Sequence, residues 1–323
     1  MQNACVSRGP SAPVGEPHHT PKTRDFRAGT PIGIVRSSVS GSDDRGSCAI
    51  RRGYRDLVNP HPSDPEVLPV AAPPRVAAWL SGASDGPVAV LHAGPDTVHL
   101  EVHGRAVGVA AAGAPGLPHV LRTNLTTLSE LVSSGAGHTP YVESGSLHWG
   151  GRLLVTGRFV DVRAPRLELA RIPKASPAAA MGTPRSRGAG LVPALPTWAA
   201  ALQVVDPSSV DDLVGRGDGL TPLGDDVLCG WLATYRATGV ATPALDDAVR
   251  RALPRTTTLS ATLLECALAG ECADLVADYL RALGTSEEQD ARAALAALGH
   301  SSGEGLAHGV DLAVSALSRE VAA

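Results

Sequence analysis

The spacing of apolar residues changes once along this chain of 323 residues, and that change restricts the fold more than any other feature. Between residues 87 and 168 apolar and polar residues alternate. Val98, Leu100 and Val102 would lie on one face of a strand. From about residue 197 the apolar residues recur at helical spacing, as in Val227, Leu228, Trp231, Leu232 and Tyr235. The pattern predicts an α+β fold, with a small barrel-like β-rich domain followed by an all-helical domain.

Amino-acid composition predicts the other boundaries between segments of the chain. Residues 1–75 are rich in Pro, Gly and Ser and have no apolar period, so they cannot bury enough surface to offset the entropy of ordering. We expect a disordered extension at 1–75, a β-rich domain at 76–168, a linker at 169–196 and a helical domain that binds the substrate at 197–323. His99 and His103, on the polar face of the predicted strand, are expected to be solvated.

Charge and aromatic content narrow the classes of partner. Lys plus Arg number 28 and Asp plus Glu 32, a net charge of −4, and aromatic residues make up 3%. Such a chain does not favour nucleic acid or an anionic membrane as a partner. No apolar run approaches the ~20 residues that span a bilayer. The five scattered cysteines fit reduced thiols, so we expect a cytoplasmic location.

The stretch "GRGDGLTPLGDD" ends ahead of the first long helical pattern. Glycine admits positive φ and lets the backbone approach a ligand, and Thr221-Pro222 is typical of a helix start, with the hydroxyl as N-cap. A glycine loop that leads into a helix N-terminus directs several N–H groups at one point and favours anions. The candidate substrate-binding residues here are Gly217, Gly219, Thr221 and Gly224.

Asp225 and Asp226 follow this loop and have three possible roles. Acidic residues in a first helical turn complement the helix dipole by ~0.3–1 kcal/mol. Beside an anion site a carboxylate can instead hold Mg²⁺ against a phosphate, or it can accept a hydrogen bond from a substrate amide. The pair are therefore candidate catalytic residues and possible Mg²⁺ ligands.

Two further polar clusters interrupt the helical region. "PRTTTLS" places four hydroxyl residues ahead of a helix, where one would suffice as N-cap, and we select Thr257 and Ser260 as substrate-binding candidates. "GHSSGEG" contains a possible capping box, Ser301 with Glu304. His300 is a candidate general acid or base near pH 7. Ser301, Ser302 and Gly303 complete the substrate-binding candidates.

Taken together, "GRGDGLTPLGDDVLCGWLA", "TTTLSATLLECALAGE" and "ALGHSSGEGLAHG" resemble the AllH-like family. That family is linked to a subunit of the bacterial oxamate carbamoyltransferase of anaerobic allantoin breakdown. The resemblance extends over residues 76–323, and the first motif is the most specific. We predict that the three clusters converge on one pocket, with the carboxylates of Asp225 and Asp226 facing the anion loop.

The resemblance also implies a reaction, in which a carbamoyl group passes between carbamoyl phosphate and the nitrogen of oxamate, and it implies partner carbamoyltransferase subunits. Both substrates are small anions, which suits a glycine loop. Two other functions remain open from the residues: a Mg²⁺-dependent phosphotransferase that binds a nucleotide, and a non-catalytic anion-binding subunit.

Overall fold

The computed structural model describes residues 65–134, 139–172, 202 and 206–322. Nine strands in these residues form one sheet, with the order β2-β7-β8-β9-β1-β6-β5-β4-β3. Their bounds are β1 Glu66–Ala72, β2 Gly86–Pro87, β3 Ala89–Ala93, β4 Thr97–Val102, β5 Arg105–Ala110, β6 Val120–Arg122, β7 Tyr141–Glu143, β8 Ser146–Trp149 and β9 Arg152–Phe159.

The sheet curls into a nearly closed barrel. Its two edge strands, β2 and β3, are consecutive in sequence and separated only by Val88, so the two ends of the sheet lie close together. Apolar side chains fill the interior, and two helices, α1 (Pro74–Ser81) and α2 (Ser129–Ser134), add Val76, Leu80 and Leu131 to the same core. The predicted barrel-like β part is confirmed.

Strand β1 corrects the boundary of the predicted disordered segment. It falls within residues 1–75, yet it pairs in parallel with β9 along its whole length and with β6 at Ala71. Pro69 makes this strand hard to recognise from the sequence, because proline is disfavoured inside a sheet. It is tolerated here since β6 pairs only at Ala71, and a register shift follows at Val70/Ala71. Residues 1–64 and 173–196, which hold the rest of the predicted extension and most of the predicted linker, lie outside the described residues.

The alternation in β4 is confirmed, with one exception on its polar face. Val98, Leu100 and Val102 are buried in the barrel core. The expectation that His99 is solvated is wrong, because His119 covers it: the His119 Nε2 and His99 Nδ1 atoms are 3.1 Å apart and both rings are buried. His103 is exposed in the following turn and contacts Ser84.

Seven helices among the described residues form the second part of the fold. They are α3 Ser209–Leu213, α4 Leu223–Thr238, α5 Pro243–Ala252, α6 Thr258–Leu268, α7 Asp274–Ala282, α8 Glu288–Ala296 and α9 Ser302–Ala322. Helix α4 lies at the centre, packed against α3, α6, α7 and α9, and is buried on nearly all sides. The helical part predicted from the sequence is confirmed. The helical spacing of apolar residues in the sequence predicts α4, α6, α7, α8 and α9. It predicts neither the short helix α3 nor helix α5.

Two glycines bring α4 and α9 into close contact. A Cβ added to Gly230 would lie 2.1 Å from the Leu306 carbonyl oxygen, and one added to Gly309 would lie 2.0 Å from the Val227 carbonyl oxygen. The backbones can approach this closely only where both helices lack a side chain. The crossing fixes the N-terminal turn of α9 beside the N-terminal turn of α4.

Helix α6 also contacts the barrel. The Ala106 N–H of β5 donates a hydrogen bond of 2.8 Å to the Thr262 hydroxyl, and Arg105 forms a 3.0 Å salt bridge with Glu265. No helix among the described residues is long and apolar enough to cross a membrane.

Candidate functional site

The glycine loop, residues 215–222, has the backbone conformation that its glycines suggest. The φ angles of Gly215, Gly217 and Gly219 are 76°, 118° and 91°, values that other residues rarely adopt. Gly215 and Gly217 pack tightly against Arg255 and Leu223, whereas a Cβ on Gly219 would meet nothing within 4 Å. Gly219 is therefore the glycine of this loop with open space beside it.

The start of α4 differs from the prediction by one residue. The helix begins at Leu223, and Pro222 stands at the N-cap position without a side-chain capping bond. Thr221, predicted as N-cap, instead places its Oγ1 atom 2.6 Å from Oγ of Ser302. Pro222 has an extended backbone with ψ of 138°, so the helix starts one residue later than predicted, and the threonine hydroxyl contacts α9.

The predicted set of anion donors also needs correction. The N–H of Gly224 donates to the Arg216 carbonyl oxygen at 2.9 Å, and those of Asp225 and Asp226 donate to the Pro222 carbonyl oxygen at 2.9 and 3.2 Å. The first turn of α4 therefore uses these donors within the protein. Within the described part of the chain, the N–H groups of Gly217, Asp218 and Gly219 donate no hydrogen bond, so the loop has donors available to a ligand.

Asp225 is buried and connects the glycine loop to the start of α6. Its Oδ1 accepts a 2.9 Å hydrogen bond from the Gly215 N–H, and its Oδ2 accepts one from the Thr256 hydroxyl. Burial raises the pKa of Asp225, and the hydrogen bonds from Thr256, Gly215 and Ser260 oppose this rise. Because both carboxylate oxygens already accept hydrogen bonds, Asp225 holds protein segments in place.

Asp226 is 2% exposed and lies on the side of α4 that faces α9. Its Oδ2 has no hydrogen-bond partner among the described residues, and a Cβ on Gly305 would lie 2.8 Å from its Cβ. Burial raises the pKa of Asp226 well above its ordinary value. The Ser302 and Thr221 hydroxyls oppose this rise, and the charge of Asp225 adds to it. A buried carboxyl oxygen without a partner is costly and is the most unusual polar atom near this loop.

The start of α6 contributes three hydroxyls with different contacts. Thr257 is the N-cap: its Oγ1 accepts a hydrogen bond from the Ser260 N–H at 3.1 Å and donates one to the Leu220 carbonyl oxygen at 2.5 Å. Ser260 is 1% exposed and its Oγ has no hydrogen-bond partner of ordinary geometry. Thr256, which the sequence candidates omit, bonds Asp225. The run of three threonines was the only signal for it.

The start of α9 brings only part of its cluster to the site. Ser302 reaches Thr221, and Ser301 lies just ahead of the helix. His300 is exposed in the preceding turn, without a hydrogen bond to the other candidates. The expected capping box is not formed, because Glu304 faces Arg292, with Oε1 and Nη2 3.6 Å apart.

Gly224 and Gly303 have packing reasons of their own. A Cβ on Gly224 would lie 2.1 Å from the Leu213 carbonyl oxygen, and one on Gly303 would lie 2.1 Å from the Leu295 carbonyl oxygen. Their predicted contact with substrate stays a prediction, since close packing of backbone already requires glycine at both positions.

The metal prediction for the two aspartates also stays a prediction. Among the described residues, no group of three or more His, Cys, Asp or Glu side chains is placed to hold a metal ion. Asp225 uses both oxygens for protein hydrogen bonds, so Oδ2 of Asp226 is the carboxyl oxygen of the pair that lacks a partner among the described residues.

The three sequence clusters therefore meet at the N-terminal ends of α4, α6 and α9. Comparisons of the chain with curated proteins and with solved structures gave no match. A comparison with protein families did give one. The family model described as oxamate carbamoyltransferase subunit AllH matches residues 213–314, which contain all three clusters and both aspartates, so the resemblance seen in the motifs is confirmed over this part of the chain.

Proposed function

We propose that this chain is a subunit of a carbamoyltransferase complex that moves a carbamoyl group between carbamoyl phosphate and the nitrogen of oxamate. The observation that carries the proposal is the convergence of the three clusters at the start of α4, where Asp225 contacts the α6 cluster and the neighbouring Asp226 has a buried Oδ2 without a partner. The family match over residues 213–314 supports the same reaction, and because it names a subunit, it supports a need for partner subunits.

The glycine loop would bind the anionic end of a substrate. The N–H groups of Gly217, Asp218 and Gly219 donate no hydrogen bond within the described residues, and successive N–H groups of this kind bind phosphate or carboxylate oxygens. The hydroxyls of Thr221 and Ser302, 2.6 Å apart, lie at the start of α4 and α9 and add donors beside the loop.

Asp226 would act on the nitrogen of oxamate. In the transfer step the nitrogen attacks the carbamoyl carbon, the bond from that carbon to the phosphate oxygen breaks, and phosphate leaves. The nitrogen must lose a proton, and Oδ2 of Asp226 would accept it. Burial raises the pKa of Asp226, which makes its carboxylate a stronger base. The remaining catalysis is positioning and stabilisation of the oxyanion.

The test uses the full chain isolated with its native partners from the source cells. We expect this complex to form oxalurate and phosphate from carbamoyl phosphate and oxamate. The Asp226→Asn variant should reduce turnover at least ~100-fold, because a polar contact to a reacting group contributes several kcal/mol. Asp247→Asn, an exposed residue of α5 paired with Arg250, is the matched control and should retain full activity.

Other outcomes would select the alternative functions. Phosphoryl transfer from a nucleotide that depends on Mg²⁺, without carbamoyl transfer, would replace the proposal with a phosphotransferase. Binding of carbamoyl phosphate with full turnover in Asp226→Asn would leave this chain as an anion-binding subunit and would place the catalytic residues elsewhere in the complex.

A further inference from the structure

We infer that Thr256 is a positioning residue of the anion site and that it acts on the glycine loop through Asp225. This inference rests on the proposed function, since it concerns the same loop. Thr256 belongs to a short segment, residues 255–257, that runs from the last residue of the 3-10 turn Leu253–Arg255 to the N-cap of α6. Every residue of this segment contacts the glycine loop or the residues that flank it.

The contacts of the segment begin at the first glycine. The Thr256 hydroxyl donates to Oδ2 of Asp225, and Oδ1 of the same carboxylate accepts the N–H of Gly215 at 2.9 Å. The Arg255 carbonyl oxygen packs so closely that a Cβ on Gly215 would lie 2.6 Å from it. The conformation of Gly215, with φ of 76°, is therefore held from two sides.

The far end of the loop is held by the next residue of the segment. The Thr257 hydroxyl donates to the Leu220 carbonyl oxygen at 2.5 Å while it caps α6. Between these two attachments lie Gly217, Asp218 and Gly219, whose N–H groups donate no hydrogen bond within the described residues. The attachments at Gly215 and Leu220 determine where those donors point.

Asp225 is the central member of this chain of contacts. It is 1% exposed, and both of its oxygens are used as acceptors. Removing the Thr256 hydroxyl leaves Oδ2 without that donor, and the carboxylate can then rotate away from the Gly215 N–H. The expected consequence is a loop that samples more conformations and binds an oxyanion less tightly, while the helices stay folded.

The first experiment measures amide hydrogen exchange of the full chain without ligand. In Thr256→Val we expect faster exchange at Gly215 than in wild type. Thr256→Ser, which keeps the hydroxyl, should restore slow exchange. Thr258→Val is the matched control, because the Thr258 hydroxyl makes no hydrogen bond within the described residues. Unchanged exchange at Gly215 in Thr256→Val overturns the inference.

The second experiment titrates inorganic phosphate and carbamoyl phosphate by calorimetry. We expect Kd to rise about tenfold in Thr256→Val, as for the loss of one well-oriented hydrogen bond, and to recover in Thr256→Ser. Gly116→Ala, a destabilising change in the barrel-helix interface, should lower Tm without changing Kd, which separates positioning from general stability.

The outcomes distinguish this inference from the proposed function. Equal phosphate affinity in wild type and Thr256→Val overturns the inference and leaves the proposed function standing. A wild-type chain that binds neither anion, in a complex without carbamoyl transfer, overturns the proposed function and the inference with it.

Discussion

Arg122 and Asp274 are joined by two parallel hydrogen bonds, from Nη1 to Oδ2 at 2.7 Å and from Nη2 to Oδ1 at 2.9 Å. They connect β6 of the barrel to the first residue of α7. Gly116 lies directly against this pair: a Cβ there would be 2.2 Å from Oδ2 of Asp274 and 2.3 Å from Nη2 of Arg122. The salt bridge therefore depends on the absence of a side chain at residue 116.

The first prediction follows from this contact. Gly116→Ala should lower the free energy of unfolding by about 1–3 kcal/mol, the usual cost of overpacking, because the new methyl group displaces both charged partners. Gly113→Ala is the matched control, since a Cβ there would meet nothing within 4 Å. Urea denaturation of the two variants checks the difference, and equal stability would show that the interface adjusts without cost.

A second prediction concerns Asp226 and pH. Its pKa is raised well above the ordinary 3.8, first by burial, so the unfolded chain releases this proton at lower pH than the folded chain does. The wild type should therefore lose stability as pH rises from about 4 toward the folded-state pKa. Asp226→Asn removes this pH-dependent contribution of the carboxyl group. The stability of the variant relative to wild type should therefore increase over the same pH range.

Thermal or urea denaturation between pH 4 and pH 8 measures that difference, and Asp225→Asn provides the contrast. Asp225 accepts hydrogen bonds at both oxygens, so an Asn amide would direct N–H toward an existing donor. We expect Asp225→Asn to be destabilised by about 1–3 kcal/mol at neutral pH. If Asp226→Asn is less stable than wild type at neutral pH, this result would contradict the finding that the Asp226 carboxyl lacks a partner.

The third prediction concerns the open side of the glycine loop. Gly219→Val should weaken binding of phosphate and carbamoyl phosphate strongly while circular dichroism of the helices stays nearly unchanged. The reason is conformational, because Gly219 has φ of 91° and a Cβ there meets no neighbour, so valine acts by changing the loop backbone. Unchanged affinity for these anions would remove this part of the loop from the site.

The fourth prediction concerns the buried histidines of the barrel. Burial, followed by the charge of His92, lowers the pKa of His99 to about 4 from 6.5, and burial lowers that of His119 as well. Since the unfolded chain takes up protons first as pH falls, the barrel should lose stability between pH 6.5 and pH 4. The lowered pKa of His99 alone accounts for about 3 kcal/mol of this loss in the free energy of unfolding.

The double variant His99→Phe, His119→Leu tests this term by removing both titrating rings. Its unfolding free energy should fall less than that of wild type over the same pH range. His103→Gln is the control, because this exposed histidine lies in the turn after β4. Parallel pH profiles in wild type and the double variant would show that the histidine pair does not control the acid stability of the barrel.

The parts of the fold that follow from periodicity were predictable from sequence. Val98, Leu100 and Val102 alternate in a strand with one buried face, and the helical spacing of Val227, Trp231 and Tyr235 marks α4. Strand β1 was not predictable, because Pro69 argues against a strand and only the pairing with β9 accommodates it. Strand β1 forms because it pairs with β9, and no local sequence pattern indicates that pairing.

The site was predictable as a set of motifs but not in its contacts. The convergence of the glycine loop with Thr257 and Ser302 was expected, whereas the exact start of α4 decides that Thr221 contacts Ser302 and does not cap the helix. Thr256 and Thr258 are both threonines, so the sequence does not show which of them contacts Asp225. Only the start of α6 at Thr258 turns one hydroxyl toward Asp225.

Helix α6 connects the glycine loop to the barrel. Its 11 residues make a rod of about 16 Å, with the anchors of the glycine loop at one end and the Thr262 contact to β5 along its side. A rotation of this rod that breaks the contact with β5 also displaces Thr256 and Thr257. We therefore expect the barrel to restrain the loop through α6, so that a change at β5 also alters the residues that would hold the anion.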